Sequence, residues 1–203
     1  MHPLLLDFPH EFVTNRLLVR MPQPRDGKVV YDAINASSKE LKPWVTFAHK
    51  KYTEEEIEII IRKQYLNFLQ RQDLTFLVFK QESQDFVASV SLHKINWNIR
   101  KFEIGYWIHS HFSGNGYMLE AIQGIMDFAF QQLQANRLEI QCESKNIKSC
   151  AIPKKLGFQL EGILERSTKA VDGSELRDIC LFALTRNRYK IQHTCAEFLQ
   201  INS

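Results

Sequence analysis

Residues 113 to 118 read Ser-Gly-Asn-Gly-Tyr-Met, with two glycines flanking one asparagine. Glycine enters left-handed backbone without a Cβ penalty and lets a ligand come close to the main chain. A helix opening at Gly116 adds first-turn N–H groups that have no helical partner and carry partial positive charge. Such a turn suits phosphate oxygens. It equally suits a tight strand-to-helix connection, and composition alone does not separate the two. Spacing does remove two phosphate-binding classes. A dinucleotide fingerprint requires Gly or Ala at position 119, where Leu119 stands, and its strand would open a parallel sheet. A Walker A loop requires Gly-Lys-Ser/Thr, a triplet absent from the chain.

The remaining chemistry-bearing residues are less patterned. Cys142, Cys150, Cys180 and Cys195 form no C-x-x-C pair, so no tetrahedral zinc site and no other metal site is expected. In a chain of 203 residues, large enough to stand on its core, they are expected as buried or free thiols. A net charge of +3, with acids and bases in balance, excludes a dedicated nucleic-acid binder. Leu4-Leu5-Leu6, broken at Asp7 and Pro9, is too short for a signal segment, and no stretch is long enough to span a membrane. The expectation is a cytoplasmic protein.

These residues need a frame. An apolar share of 44%, with 14 Phe and 3 Trp, fills a sizeable core, and no repeat or linker divides the chain, so residues 1–203 are expected as one domain. Residues 12–20 read as a first strand, followed by a helix over 26–37 and a turn or short helix at Lys42-Pro43-Trp44. Thr53 with Glu56 makes a capping box for a helix to about Arg71. Strands at 74–80, 86–93 and 101–108, joined by short polar breaks, predict an antiparallel meander. Met118, Ile122, Ile125, Ala129 and Leu133 form one face of a helix over 116–133, and the strand 137–143 follows. Strand, helix and strand in that order make a right-handed crossover with parallel strands. A short helix from Asn146 ends at Gly157, and strands near 158–168 and 176–184 close the core. The tail, 186–203, reads as weakly helical. The fold class is therefore a mixed α/β sheet, largely antiparallel with one central parallel crossover.

Phe102-Glu-Ile-Gly-Tyr-Trp-Ile108, the glycine turn, Asn136-Arg-Leu-Glu-Ile-Gln-Cys142, Asn146-Ile-Lys-Ser149 and Ile152-Pro-Lys-Lys-Leu-Gly-Phe158 follow in that order. With Asn15-Arg16-Leu17-Leu18-Val19-Arg20 and a span to about residue 185, the set resembles the GNAT acetyltransferases, in particular the RimJ/RimL-like branch. The resemblance implies the GNAT fold, with core residues about 12–185, whose fourth and fifth strands splay apart around acetyl-CoA. It implies that backbone N–H groups of Ser113, Gly114, Asn115, Gly116, Tyr117 and Met118 hold the pyrophosphate. Backbone groups of Trp107 and Ile108, and Asn146 from the other side, would pair with the pantetheine arm. Ser113 stands where the wider superfamily usually has Gln or Arg, so backbone donors are expected to carry most of the binding.

The implied reaction is direct attack of an amine on the thioester in a ternary complex, with an N–H near Ile108 as oxyanion donor. Ser149 matches the serine that protonates the departing thiolate in RimL-like enzymes. Independently, Pro153 lacks an N–H and leaves the Ser149 carbonyl without its helical partner. A capping or solvated Ser149 is the plain alternative. Glu103 is the candidate base, or else a structural carboxylate paired with a nearby Arg or Lys. Thr168 occupies the place of a glutamate assigned in RimL-like enzymes, with Glu165 three residues earlier. Trp44 and Tyr106, with Phe47 and Trp107, are candidates for an amine slot, although aromatics at such positions are more often core. His93, His109 and His111 surround the central strand. The acceptor is expected to be a protein N-terminus or a small-molecule amine such as a polyamine, amino acid or aminoglycoside. A non-catalytic acetyl-CoA-binding module is the alternative from another class, and the assembly is expected as a monomer or homodimer.

Overall fold

The computed structural model describes residues 2–192; Cys195 and the rest of the predicted tail lie outside that range. The strands are β1 Glu11–Val13, β2 Leu17–Arg20, β3 Leu74–Lys80, β4 Phe86–Asn96, β5 Lys101–Ile108, β6 Arg137–Glu143, β7 Gln159–Lys169 and β8 Leu176–Thr185. The helices are α1 Gly27–Ala36, α2 Ser38–Leu41, α3 Glu54–Leu69, α4 Tyr117–Gln131 and α5 Ile147–Lys155. All eight strands join one sheet in the order β1-β2-β3-β4-β5-β6-β8-β7. Only β5 and β6 are parallel among the described strands, as the crossover pattern predicts.

The helix signals act as read. Thr53 Oγ1 accepts from the Glu56 N–H at 3.1 Å, and the Glu56 carboxylate accepts from the Thr53 N–H at 2.9 Å, closing the box that starts α3. Met118, Ile122, Ile125 and Ala129 are buried on α4, and Leu133, just past its end at Gln131, is buried as well. Fully burying an Ile side chain contributes roughly 1.5–3 kcal/mol, so this stripe fixes the helix against the sheet. At the end of α5, Gly157 takes φ +75°. Phe158 N–H donates to the Pro153 carbonyl and Gly157 N–H to the Lys154 carbonyl, a Schellman stop.

Two readings need correction. Residues 12–20 are not one strand but the hairpin β1–β2, turned at Thr14-Asn15-Arg16. The cause lies far away in the chain. Glu120 of α4 accepts from Thr14 Oγ1 at 2.6 Å and from the Arg16 N–H at 2.8 Å, which holds the turn. The strand read as 86–93 continues to Asn96 through an irregularity at Lys94, whose φ is +47°. Around Lys42-Pro43-Trp44 the chain makes a turn between α2 and a 3-10 segment, Thr46–His49. Residues 186–192 are helical, and Tyr189 stacks on Phe130 at 4.3 Å, so this part of the tail does contribute to the core.

The feature that matters for function is where β5 and β6 part. They pair only at Lys101–Arg137, Phe102–Leu138 and Glu103–Glu139. Beyond that point β5 stays with β4 as far as Ile108, and β6 stays with β8 as far as Glu143. A wedge-shaped gap opens between two strands that each keep their outer neighbour.

Candidate active site

Backbone direction along β5 follows from one hydrogen bond. His109 N–H donates to the Val87 carbonyl at 2.9 Å, and the register continues through Trp107–Ser89 and Gly105–Ser91. In an antiparallel ladder, bonded and non-bonded pairs alternate. The main-chain groups of Trp107 therefore face β4, while those of Tyr106 and Ile108 face the gap. This corrects the expectation for Trp107, whose backbone is committed within the sheet. Its side chain packs between Phe86 and Phe47, with ring centroids 5.5 and 5.9 Å away.

The glycine turn stands at the open end of the gap. Gly114 and Gly116 have φ of +87° and +79°, backbone that only glycine enters without strain. Gly116 caps α4, and a Cβ at Gly114 would meet nothing within 4 Å. Among the described residues, the N–H groups of Gly114, Asn115, Gly116, Tyr117 and Met118 meet no acceptor. Ser113 departs from expectation: its N–H closes a 3-10 turn on the Ser110 carbonyl. The Met118 side chain is buried in the core, leaving only its main chain for a ligand.

Sequence reasoning missed a residue here. Arg16, from the β1–β2 turn, places Nε 2.6 Å from Glu120 and donates from Nη1 to the Asn115 carbonyl at 3.2 Å. Its guanidinium lies 4.3 Å over the Tyr117 ring, and Nη2 would stand 3.5 Å from a Cβ on Gly116. A permanent positive charge thus braces the turn that lacks Gln or Arg at position 113. Burial works against ionised Glu120, but hydrogen bonds from Thr14 and Arg16 hold its carboxyl below the usual range. A separation of 104 residues left no local signal for this pair.

Residues 16–159 match the acetyltransferase (GNAT) domain. The chain belongs to the GNAT acetyltransferase family. It is 31% identical over 167 residues to YdaF of Bacillus subtilis (strain 168), covering 79% of this chain and 84% of that protein. It is also 28% identical over 108 residues to the ribosomal-protein-serine acetyltransferase of Escherichia coli (strain K12), covering 53% and 58% of the two chains. A solved structure of RimL, an acetyltransferase of ribosomal protein L7/L12, in complex with coenzyme A superposes with a TM-score of 0.80. That match has 20% identity and covers 87% of this chain and 98% of that one, which establishes the shared fold.

In this GNAT chain the two faces of the gap are chemically different. On the α5 face, Tyr106 O–H donates to the Ser149 carbonyl at 3.0 Å and lies 3.1 Å from Ser149 Oγ. The carbonyl that Pro153 deprives of a helical donor is thus satisfied across the gap. Tyr106, expected in an amine slot, stands with Ser149 instead. Asn146 caps α5, its Oδ1 accepting from the Ser149 N–H at 3.1 Å, which leaves only its side-chain NH2 to donate to a ligand. Behind Ser149 lie the free thiols of Cys142, Cys150 and Cys180, all buried. Burial pushes the Cys142 and Cys180 thiols upward, so both are neutral and poor nucleophiles at ordinary pH.

The opposite face carries charge. Glu103 is 7% exposed and accepts from Lys94 Nζ at 3.0 Å on both oxygens, from Gln141 Nε2 at 3.1 Å, and lies 3.3 Å from His93 Nε2. Burial favours its neutral form, but His93 and Lys94 outweigh burial and hold it below the usual carboxylate range. Trp44 also belongs to this side. The Arg177 guanidinium lies 5.6 Å from its ring and bonds to the Pro43 carbonyl at 3.3 Å and Glu143 at 2.5 Å. His109 is a local cap, accepting from the His111 N–H, and burial lowers its pKa. On β7, Glu165 is exposed and Thr168 is partly buried. Among the described residues, no group of three His, Cys, Asp or Glu side chains could hold a metal ion.

Proposed function

We propose that the chain transfers the acetyl group of acetyl-CoA to a primary amine, in the cytoplasm, by direct attack within a ternary complex. The observation that carries this reading is the β5–β6 gap with the Gly114–Gly116 turn at its mouth. The unpaired N–H groups of Gly114 to Met118 would donate to the pyrophosphate, with Arg16 adding positive charge beside them. The free edge of β5 at Tyr106 and Ile108 would pair with the pantetheine amides, and Asn146 would reach the same arm from α5. One of the two β5 N–H groups then stabilises the oxyanion as the amine adds to the thioester carbon. Ser149 Oγ–H supplies the hydrogen bond and the proton for the departing thiolate. Tyr106, whose phenol burial pushes far above neutrality, stays protonated and fixes Ser149 in place. Trp44 borders the amine side.

The acceptor best supported is the α-amine of a protein N-terminus, because similar chains carry names of ribosomal-protein acetyltransferases. The test is release of coenzyme A from acetyl-CoA, followed with a thiol reagent. The acceptors are peptides matching ribosomal-protein N-termini, a polyamine and an aminoglycoside. Release with a peptide is the expected result. Release only with a small amine would reassign the acceptor, and tight coenzyme A binding without release for any amine would overturn the enzymatic reading.

A further inference from the structure

We propose that His93 takes the proton from the acceptor ammonium, and that Glu103 is the positioning carboxylate behind it. The inference rests on the acetyl-transfer reading above and adds a residue to it. The imidazole leans from β4 over the main chain of β5: a Cβ on Gly105 would stand 2.7 Å from His93 Cε1 and 3.2 Å from Nδ1. Gly105 is therefore the residue that makes room for the ring. It directly precedes Tyr106, whose N–H faces the gap.

Glu103 is badly placed to receive the proton itself. Both of its oxygens are engaged by Lys94, and it also accepts from Gln141 and faces His93. Protonating it would break several charge-assisted bonds at a covered site. His93 has the complementary situation. Glu103 beside Nε2 favours the tautomer that carries hydrogen there, which makes Nδ1 an acceptor, 3.3 Å from Ser91 Oγ, whose hydroxyl hydrogen the incoming ammonium would replace. The ring also lines a cavity of ≈ 330 Å³ between α3 and the sheet, together with Gln64, Asn67, Asp73 and Thr75, so it is open to solvent on the α3 side. The charged groups around it are Lys63 from α3, Asp73 preceding β3, Lys94 from β4 and Glu103 from β5, two of each sign.

The step balances. One N–H bond of the ammonium breaks and Nδ1–H forms, leaving a neutral amine and an imidazolium whose charge Glu103 stabilises. The amine lone pair forms the C–N bond, the C–S bond breaks, and the sulfur leaves as thiol with the proton delivered through Ser149. The second amine proton leaves the tetrahedral intermediate through water and replaces the one Ser149 gives to sulfur, and the imidazolium returns its own proton to water.

The test is the pH dependence of kcat/KM for wild type, His93→Gln, His93→Ala and Glu103→Gln, with coenzyme A affinity and Tm measured alongside. Wild type should show a limb that ascends with pH. His93→Gln should lose that limb and about 10²-fold or more in kcat/KM, with coenzyme A affinity unchanged. Added imidazole should restore part of the His93→Ala rate, which a structural role would not allow. Glu103→Gln should lower kcat/KM while leaving coenzyme A affinity unchanged, because the carboxylate that holds the ring is gone, and it should keep the ascending limb that His93→Gln loses. A wild-type profile in His93→Gln overturns the proposal, as does a near-normal His93→Gln beside an inactive Glu103→Gln. Absence of coenzyme A release from wild type would instead defeat the acetyl-transfer reading, before any substitution is made.

Discussion

The two faces of the β5–β6 gap carry opposite kinds of polar group. On the α5 side stand hydroxyls and thiols: Tyr106, Ser149, Cys142 and Cys150, with no ion pair among them. On the α3 side stand Glu103, Lys94 and His93, joined at 3.0–3.3 Å. The asymmetry matches the two proton problems of acetyl transfer. A leaving thiolate needs a neutral donor that does not stabilise the ground state by charge, whereas an ammonium must lose a proton to a base. Each face is locked by a bond that reaches out from β5, Tyr106 to Ser149 of α5 on one and Glu103 to Gln141 of β6 on the other.

The strongest challenge to this division is a change that should silence both faces at once. Gly116→Asp places a Cβ at φ +79° and a negative charge at the mouth of the glycine turn proposed to hold the pyrophosphate. Coenzyme A binding should fall below detection by calorimetry; unchanged affinity would remove the turn from the site. The next effect is confined to the α5 face. Tyr106→Phe leaves the Ser149 carbonyl without a donor, at a cost of about 1–3 kcal/mol in stability by chemical denaturation. It should lower kcat more than it alters KM for the amine, and it should leave the ascending pH limb in place. Loss of that limb in Tyr106→Phe would mean the faces are not separate.

The smallest expected effect concerns Glu120, outside both faces. Its pKa is depressed in the folded protein, so its contribution to stability is full above the unfolded carboxylate range and is lost as pH falls through the folded value. Tm should therefore drop on acidification below about pH 4, near the reference carboxylate value, and Glu120→Gln should flatten that drop. An identical acid limb in Glu120→Gln would show that the Arg16 brace does not contribute.

Local patterns carry the meander and the parallel crossover, whereas the gap follows only from the family resemblance and the place of β8 between β6 and β7 has no local signal. The period-four stripe of α4, the meander of short breaks and the Gly157 stop are each set by residues within a few positions of one another. Pro153 exposed the Ser149 carbonyl in advance, because a missing N–H is a local fact. The identity of its new donor, Tyr106, was not local, and neither was the Glu120 contact that bends residues 14–16. His93 and Glu103 are ten residues apart, yet only the β4–β5 register, Leu92–Ile104 and His93–Glu103, places them side by side. Gly105 was visible as a glycine in a strand, but what it makes room for follows from that register alone.

On the proposed function, the cosubstrate enters between β5 and β6. A crystal structure with coenzyme A tests it most directly. The diphosphate should accept from the N–H groups of Gly114 to Met118, the pantetheine amides should pair with Tyr106 and Ile108, and the sulfur should come within hydrogen-bond reach of Ser149 Oγ. Coenzyme A bound elsewhere, with the β5 edge and the glycine turn untouched, would contradict it.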